Sequence, residues 1–404
     1  MNKKTKKTSI ITNKWVKIIF TAFISLYLII WAISSPVSKY FIKPILLEQG
    51  LTLSNDTSIS YNPFLSQLTV SDLSLSAATS GQQETVFSVG KLAVRLTLFQ
   101  LLFDEIVVSK FELSDAYLKV EKTPTQLFVA GVDLNKENTD VETEKAPEVE
   151  STPLPYQLIL PKLSLNNVNI DINNEEKLHD IQIKQLLISQ VKASLQSQQA
   201  LLTLQSIIDD TAVELSADAN FIQGQGEVNS QLSIANYPLK KLAPYIEQLS
   251  TLSGAFSFDT KQQLTLSPEQ IKLHVSQAKL SNSDLAAGVQ EQFFNLAKLE
   301  NTISDLTLTL NQGELTELSG TSQLTLNNAD VHYQKASQKI ACFEQLALND
   351  ISFHFTDEPQ VKIASIVMDN IYGSKNEETE LPPIVALKQF SISDILGSAK
   401  QLSM

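Results

Sequence analysis

Residues Pro161 to Ile172 read PKLSLNNVNIDI, and this stretch carries the pattern that decides the fold. Apolar residues alternate with polar ones on both sides of the polar pair Asn166-Asn167. Before the pair the apolar residues occupy odd positions, ending at Leu165, and after it they occupy even positions, starting at Val168. In an uninterrupted strand this change of parity would move the apolar side chains to the opposite face of the sheet.

Two backbone geometries would keep the apolar side chains on one face. A β-bulge or bend absorbs an extra residue within a long strand, whereas a two-residue hairpin turn ends one strand and starts the next. Tight hairpin turns prefer Asn-Gly or Asp-Gly, and no copy of the polar pair contains glycine. The sequence therefore favours a bulge or bend inside a long strand.

The same pattern of an apolar residue, two polar residues, an apolar residue, any residue and an apolar residue recurs along the chain. Copies begin at Val70, Leu113, Ile188, Val275, Ile303, Leu326 and Leu348, and shorter versions begin at Met368 and Ile392. From Val275 onward the starts are 28, 23, 22, 20 and 24 residues apart. Such spacing is typical of proteins that stack one supersecondary unit on the next, so the sequence predicts a repeat protein.

The composition argues against several classes of function. The formal net charge is −13, and Arg95 is the only arginine. An acidic chain with almost no guanidinium groups is poorly suited to bind nucleic acid, so no nucleic-acid partner is expected. Cys342 is the only cysteine, which rules out an intramolecular disulfide.

The first 37 residues predict a basic cytoplasmic tail and a membrane anchor. Six lysines precede the uncharged apolar run from Ile18 to Ile33, and no other charge occurs before Lys39. Flanking residues extend the run to about twenty, enough to span a bilayer. The positive-inside rule then places the N-terminus in the cytoplasm and the body across the membrane. A signal peptide cleaved near Ala32 is the alternative, and it would export the body in the same way.

The rest of the chain predicts a mainly β protein in three parts. Residues 38–134 are expected to form an N-terminal β domain, residues 135–155 an acidic, proline-containing linker or loop, and residues 156–404 a repeat β domain with helical insertions. In the first part, alternation predicts strands at Thr57–Tyr61, Gln67–Leu75, Thr85–Val89, Leu92–Leu96, Ile106–Leu113 and Tyr117–Glu121. Helical spacing predicts short helices at Phe41–Gly50, Leu98–Phe103, Asn236–Leu252 and Leu285–Leu299. The predicted fold is an N-terminal transmembrane helix followed by an elongated, repetitive, curved antiparallel β-sheet with a few short helices.

Catalytic motifs do not occur in the chain, which has no G-x-S-x-G, no phosphate-binding loop, no H-E-x-x-H and no G-x-G-x-x-G. The four histidines lie far apart, at His179, His274, His332 and His354. None has metal-ligand spacing, and each is expected to be a solvent-facing strand residue. The adjacent acids Asp209-Asp210 are expected to lie on a solvated face. The sequence thus predicts no enzyme, no metal and no cofactor, with a hydrolase whose site is scattered in sequence as an alternative.

The segments near the N-terminus follow a distinctive order. An anchor and a short amphipathic helix precede SISYNPF at Ser58 to Phe64, LTVSDLSLS, VGKLAVRLTLFQLLF and IVVSKFELSDAYLKVE. This order, and the triplet Asn62-Pro63-Phe64 above all, resembles AsmA-like envelope proteins, in particular the branch that carries a domain of unknown function. The likeness covers about residues 15 to 133.

The resemblance implies a function that the residue pattern alone does not. AsmA-like proteins form long β-grooves whose curved sheet holds lipid acyl chains while the chain bridges the envelope. For this chain, that implies a groove-like sheet in a protein of the inner membrane of a Gram-negative bacterium, with its body in the periplasm. Such a protein would bind or conduct phospholipid towards the outer membrane, with the acyl chains of membrane lipids as its partners.

The residues that would line such a groove are the apolar members of the repeated pattern. They are Val70, Leu73, Leu75, Leu113, Leu118, Leu163, Leu165, Val168, Ile170, Ile172, Ile303, Leu306, Leu308, Leu348, Ile351 and Phe353. The same residues would equally suit the closed core of an ordinary sandwich. The alternative function is a non-enzymatic structural or assembly factor for outer-membrane proteins or envelope integrity, with other envelope proteins as partners.

Overall fold

A computed structural model of the chain describes residues 36–37, 39–79, 82–135, 156–174, 177–246, 248–333, 339–355, 359–373 and 385–398. Residues 1–35, which hold the predicted tail and the apolar run of the predicted anchor, lie outside these ranges, as do residues 136–155 of the predicted linker. Within them, no helix has the length and apolar character needed to cross a membrane.

The described residues are mainly β, because most of the chain alternates apolar and polar side chains at the period of a strand. Residues 39–48 are α-helical, and short 3-10 helices occupy Leu98–Phe103, Leu239–Lys241 and Ala243–Tyr245. The strands are β1 (Leu51–Leu53), β2 (Ser58–Asn62), β3 (Gln67–Thr79), β4 (Gln82–Leu96), β5 (Glu105–Lys122), β6 (Leu127–Val129), β7 (Val132–Asp133), β8 (Gln157–Asn174), β9 (Lys177–Ala193), β10 (Ser197–Ile208), β11 (Thr211–Ile222), β12 (Gln225–Pro238), β13 (Thr251–Leu266), β14 (Gln270–Val289), β15 (Gln292–Asn311), β16 (Glu314–Tyr333), β17 (Lys339–Phe355), β18 (Gln360–Gly373) and β19 (Val385–Ser398).

All nineteen strands belong to one long, open sheet. Both β1 and β2 pair with β3, and the order then runs β3, β4, β5, β8 and onward one strand at a time to β19. Every pairing is antiparallel except that of β5 with β8, which runs parallel from Glu105 and Gln157 to Lys122 and Asn174. The small strand β6 pairs with the last three residues of β5, and β7 pairs with β6. Residues on either side of the predicted linker therefore share a single sheet.

The polar pairs lie inside long strands, which confirms the bulge or bend and shows that the hairpin alternative was wrong. In nine of the ten copies, the second residue of the pair has a positive φ of 49° to 56°. These residues are Asp72, Asp115, Asn167, Gln190, Asp305, Asn328, Asp350, Asn370 and Asp394. Asp and Asn tolerate this left-handed conformation better than other side chains. The exception is Gln277 in β14, where a shift in register with β13 marks a bulge without a positive φ.

The left-handed residue keeps the apolar side chains on one face. In β8, Leu165 precedes Asn167 and Ile170 follows it, yet both pack against a single buried cluster. That cluster consists of Val89, Ala116 and Val168, which are 3%, 4% and 7% exposed. In nine of the ten copies, the parity change seen in the sequence therefore marks one left-handed residue within the strand.

The strands are longer than the alternation predicted. Thr85–Val89 and Leu92–Leu96 are parts of β4, and Ile106–Leu113 and Tyr117–Glu121 are parts of β5. Each predicted break falls where parity changes, at Gly90 in β4 and at Asp115 in β5. Gly90 is required at its position, because a Cβ there would lie 2.9 Å from the Cβ of Asp115.

The predicted helices had mixed outcomes. Helix at residues 39–48 and the 3-10 helix Leu98–Phe103 confirm two of them, and Gly50 follows the first with a positive φ of 75°, as a helix end requires. The prediction over Asn236–Leu252 was wrong, since the segment holds two 3-10 turns between β12 and β13. Pro244 lacks the backbone N–H that a continuous helix needs.

The predicted helix at Leu285–Leu299 was also wrong. These residues form the end of β14, a hairpin turn and the start of β15. Apolar residues that share a face have odd numbers at the end of β14 and even numbers at the start of β15, such as Leu285 and its partner Leu296. Because of this change across the turn, their spacing along the chain imitates a helical period. Length and spacing alone did not separate two half-strands from one helix.

Candidate functional site: the apolar face of the sheet

One face of the sheet carries a continuous row of directly opposed apolar residues, called here the central row. Residues opposite each other in neighbouring strands lie on the same face, so the pairings trace the row strand by strand. It crosses fifteen strands, β3–β5 and β8–β19. Its members are Leu73, Val89, Ala116, Val168, Ile183, Ser206, Val213, Ile234, Phe258, Leu280, Asn301, Leu324, Leu348, Ile366 and Ile392. Only Ser206 and Asn301 interrupt it with polar side chains. We call the face that holds this row the apolar face.

The structure places all sixteen sequence-predicted groove residues on the apolar face. Those of β3, β5 and β8 form parallel rows beside the central row, such as Val70, Leu113 and Leu165 or Leu75, Leu118 and Ile170. Those of β15 and β17 continue the same face, where Ile303 lies opposite Ala278 and Ile351 lies opposite Ile363. The apolar members of the repeated pattern thus share one face of the sheet.

No second layer of structure covers the apolar face in the described residues. Extensive contacts between strands occur only between hydrogen-bonded neighbours in the sheet. A sandwich would instead consist of two separate sheets packed face to face, whereas the described strands all belong to one sheet. The closed sandwich core is therefore not the arrangement seen in the described part of the chain.

The two ends of the apolar face differ. At the N-terminal end, the turn between β6 and β7 packs onto the buried side chains of Leu51 and Val86. Gly131 allows this approach, because it has a φ of 78° and a Cβ there would lie 3.0 Å from Leu51. At the other end, β19 leaves its large apolar side chains exposed, including Leu387, Phe390 and Ile392. Among the residues that the structure describes, the face is covered at the N-terminal end and open at the other.

The opposite face of the sheet is polar and charged. Lys91 and Lys110 both form ion pairs with Glu112, at 3.2 and 2.8 Å. The Tyr117 hydroxyl donates a 2.9 Å hydrogen bond to Asp171 across the parallel pair β5 and β8. Burial, and then this hydrogen bond to a carboxylate, raise the pKa of Tyr117 to about 12. In β4, β5 and β8 a polar surface therefore lies opposite the apolar one.

A polar cluster interrupts one edge of the apolar face. Asp209, in the turn between β10 and β11, is 2% exposed and accepts a hydrogen bond from the amide of Asp180 at 3.2 Å. His179 lies opposite Ile172 on the apolar face, and its Nδ1 is 2.7 Å from the Asp209 carboxylate. Lys241 approaches the same carboxylate at 3.5 Å, and the hydroxyl of Tyr245 bonds His179 Nε2.

This cluster, called here the Asp209 cluster, fastens the connection between β12 and β13 to the sheet. Both Lys241 and Tyr245 belong to that connection, whereas Asp209 and His179 belong to the β10–β11 turn and to β9. Residues 239–246 therefore fold back onto the edge of the apolar face. They form a strap that is tied to the sheet by the contacts of Lys241 with Asp209 and of Tyr245 with His179.

The electrostatics of the cluster favour an ionised Asp209. Burial disfavours the carboxylate, but hydrogen bonds from His179 and the Asp180 amide, together with the charges of His179 and Lys241, outweigh burial and lower the pKa of Asp209. Burial, followed by the nearby Asp209 carboxylate, raises the pKa of Tyr237. The carboxylate is thus the centre on which the contacts of the strap converge.

Two sequence predictions were wrong here. Asp209 is buried rather than solvated, whereas Asp210 beside it is exposed. His179 is a partly buried partner of Asp209 rather than a free solvent-facing residue. The sequence offered no sign that residues from β9 and from the strap would meet at Asp209.

The Asp209 cluster predicts a local loss of stability when its charge is removed. Asp209→Asn is expected to lower the free energy of unfolding by about 2 kcal/mol, since hydrogen bonds to a charged group are worth about 1.5–3 kcal/mol. Because its pKa is lowered in the folded state, the contribution is present above the ordinary carboxyl pKa and is lost as pH falls through the lowered value. Urea unfolding should therefore give different free energies of unfolding for the unmodified protein and Asp209→Asn at neutral pH, and more similar values near pH 3. The matched control is Asp210→Asn in the same turn, and an equal effect of the two substitutions would contradict the prediction.

The histidines do not assemble a hydrolytic site in the described residues. His274 hydrogen-bonds Thr307 at 3.3 Å, and His332 hydrogen-bonds Asp330 at 3.1 Å. The partners found for His179 are a carboxylate and a tyrosine, so no described histidine is hydrogen-bonded to a serine or cysteine. The same residues contain no group of three His, Cys, Asp or Glu placed to hold a metal ion.

The chemistry that the apolar face offers is non-directional contact. Its side chains are mostly half-buried, and they would bind an elongated apolar ligand without recognising a particular polar group. Comparison of the chain with protein-family models, with curated proteins and with solved structures finds no match.

Proposed function

We propose that the apolar face binds the acyl chains of phospholipids, and that the protein is an inner-membrane-anchored, periplasm-facing component of a Gram-negative envelope that conducts lipid towards the outer membrane. The observation that carries this proposal is the central row, which crosses fifteen strands without a covering layer in the described part of the chain. At about 4.8 Å per strand the row is about 70 Å long. The likeness of residues 15 to 133 to AsmA-like proteins supports the same function.

The energetics of the face suit such a ligand. Each methylene of an acyl chain removed from water contributes about 0.8 kcal/mol, so several methylenes suffice for useful affinity without a head-group site. A large uncovered apolar surface normally marks a binding site in a soluble body. The proposed mechanism needs no catalytic group, and we propose that the protein is not an enzyme.

The lipid proposal predicts that a charge on the apolar face blocks lipid while a charge on the opposite face does not. Full-length protein carrying Ile303→Glu should show severalfold less labelling of β14–β16 by a phospholipid with a photoreactive acyl chain. The control, Thr302→Glu, places the same charge one residue earlier in β15, on the polar face opposite Lys279. Mass spectrometry of labelled peptides measures both, and equal labelling of the two variants, or none in the unmodified protein, would overturn the proposal.

A second candidate function has its own observation. Among the described residues β19 pairs only with β18, so one edge of the sheet offers unpaired backbone groups beside exposed apolar side chains. Such an edge can add a strand from another protein. An assembly factor for outer-membrane proteins would use this edge. Photocrosslinking from positions in β19 in cells separates the two functions, because an assembly factor should give protein adducts there without lipid adducts on the apolar face.

A further inference from the structure

A second apolar surface lies on one rim of the sheet, away from the apolar face. It consists of two neighbouring loop tips, the turn after β2 and the 3-10 helix between β4 and β5. Its members are Phe64, Leu65, Leu98, Phe99, Leu101, Leu102 and Phe103, whose exposure ranges from 43% to 75%. We call this surface the rim patch.

The geometry makes the rim patch one continuous surface. The Leu96 amide donates a 3.1 Å hydrogen bond to the Ser66 carbonyl, which joins the two loops at their base. The rings of Phe99 and Phe103 meet edge to face with centroids 5.5 Å apart. No side chain of the 3-10 helix Leu98–Phe103 is buried, although five of its six residues are large and apolar. These residues are therefore not part of a core.

Charge is absent from the tips and present at their base. Residues 96–103 contain no charged side chain, and Arg95 just before them is bound to the Gln67 side chain at 2.9 Å. Asp104 and Glu105 follow the helix, where β5 begins. Protruding aromatic and leucine side chains above a polar base are suited to enter the interfacial region of a bilayer.

Chain connectivity places the rim patch close to a membrane. The apolar run Ile18–Ile33 ends three residues before residue 36, where the described chain begins. The helix at 39–48 lies beside the β1–β2 connection, because Lys39 donates a 2.8 Å hydrogen bond to the Asn55 carbonyl. From Asn55 to the end of β2 at Asn62 an extended chain covers about 23 Å. Asn62, beside the rim patch, therefore lies within about 23 Å of Asn55, which contacts the start of that helix.

We propose that the rim patch inserts into the surface of the lipid bilayer that holds the N-terminal segment, and so fixes the sheet's orientation to the membrane. This inference rests on the membrane anchorage in the proposed function, but it assigns a different surface from the lipid-carrying apolar face. The helix at 39–48 adds exposed Tyr40, Phe41 and Ile45, beside the β1–β2 connection. The two contacts together would hold the sheet at a fixed angle.

A depth-sensitive probe tests the proposal in the full-length protein. With Cys342→Ser as background, Leu102→Cys carries an environment-sensitive fluorophore, and the protein is reconstituted into vesicles of phosphatidylethanolamine and phosphatidylglycerol. Flotation selects the vesicle-bound protein before measurement. The probe at position 102 should shift to the blue and be quenched by lipids with a spin label high on the acyl chain. Phe99→Asp should abolish both signals, because a charge does not enter the interface readily.

The matched control is Leu315→Cys, since Leu315 is also an exposed leucine beside a hairpin turn on the same rim. It lies in β16, nine strands from β5 in the sheet, which is about 43 Å along the sheet. Quenching at position 102 alone supports the rim patch; no quenching at either position, or equal quenching at both, overturns it. Photoreactive lipid labelling of β14–β16 in the same vesicles reports the apolar face separately, so failure of one proposal is not read as failure of the other.

Discussion

Val168→Asp is expected to lower the free energy of unfolding by about 4 kcal/mol at neutral pH. Val168 is 7% exposed and packs with Val89 and Ala116 in the buried cluster of β4, β5 and β8. A carboxyl group placed there has no cationic partner among these apolar side chains. Burial of this kind raises a carboxyl pKa by about three units, and each unit corresponds to about 1.36 kcal/mol.

The pH dependence identifies the cause of this loss. The introduced carboxyl has a higher pKa in the folded state than in the unfolded state. The loss in free energy of unfolding is therefore smallest below the unfolded-state pKa of about 3.9, and it grows as pH rises through the folded-state pKa. Urea unfolding at pH 4 and pH 7.5 should therefore differ for Val168→Asp. Val168→Asn, which is neutral, should show a smaller loss that does not depend on pH in this way.

The location of the loss is also predicted. In a sheet built by stacking neighbours, stability depends mainly on adjacent strands, so hydrogen exchange should accelerate in β4, β5 and β8 more than in β14–β19. Gln185→Asp in β9 is the matched control, because Gln185 is exposed on the opposite face, across from Asn166. A loss at Gln185→Asp as large as that at Val168→Asp would show that added charge, rather than the apolar face, is responsible.

The sequence predicted the face better than it predicted the fold's details. The parity change at Asn166-Asn167 indicated one apolar face in a long strand, and both features are present in β8. That argument depends only on the alternation of side chains, which tertiary contacts do not alter. The left-handed φ of Asn167 was not predicted, because a bulge and a bend change parity in the same way.

Other features depended on contacts between distant residues. The parallel pairing of β5 with β8 joins segments separated by the predicted linker, and nothing local in either strand specifies it. The cluster of Asp209 with His179 and Lys241 likewise assembles residues from three separate segments. The 3-10 helix of the rim patch was visible in the sequence as LFQLLF. Its exposure follows only from the position of that helix between the end of β4 and the start of β5.

The other large expected effect comes from the left-handed residues themselves. Asp305 lies within β15 with a φ of 52°, and its side chain is exposed. Asp305→Val should lower the free energy of unfolding by about 2 kcal/mol, because a β-branched residue pays about 1–3 kcal/mol for a backbone conformation of this kind. The loss would come from the backbone alone, at a position where valine would normally favour a strand.

Substitutions at and near Asp305 separate backbone strain from side-chain chemistry. Asp305→Gly should be nearly neutral, since glycine adopts a positive φ without steric cost. Thr302→Val in the same strand should change stability by no more than about 0.5 kcal/mol, because Thr302 has no positive φ and valine suits a strand. Urea unfolding of the three variants measures the order. If Asp305→Gly lowered the free energy of unfolding as much as Asp305→Val, then β15 would require the carboxylate rather than the left-handed backbone. The shared conformation of the nine polar pairs would then not explain why the chain repeats them.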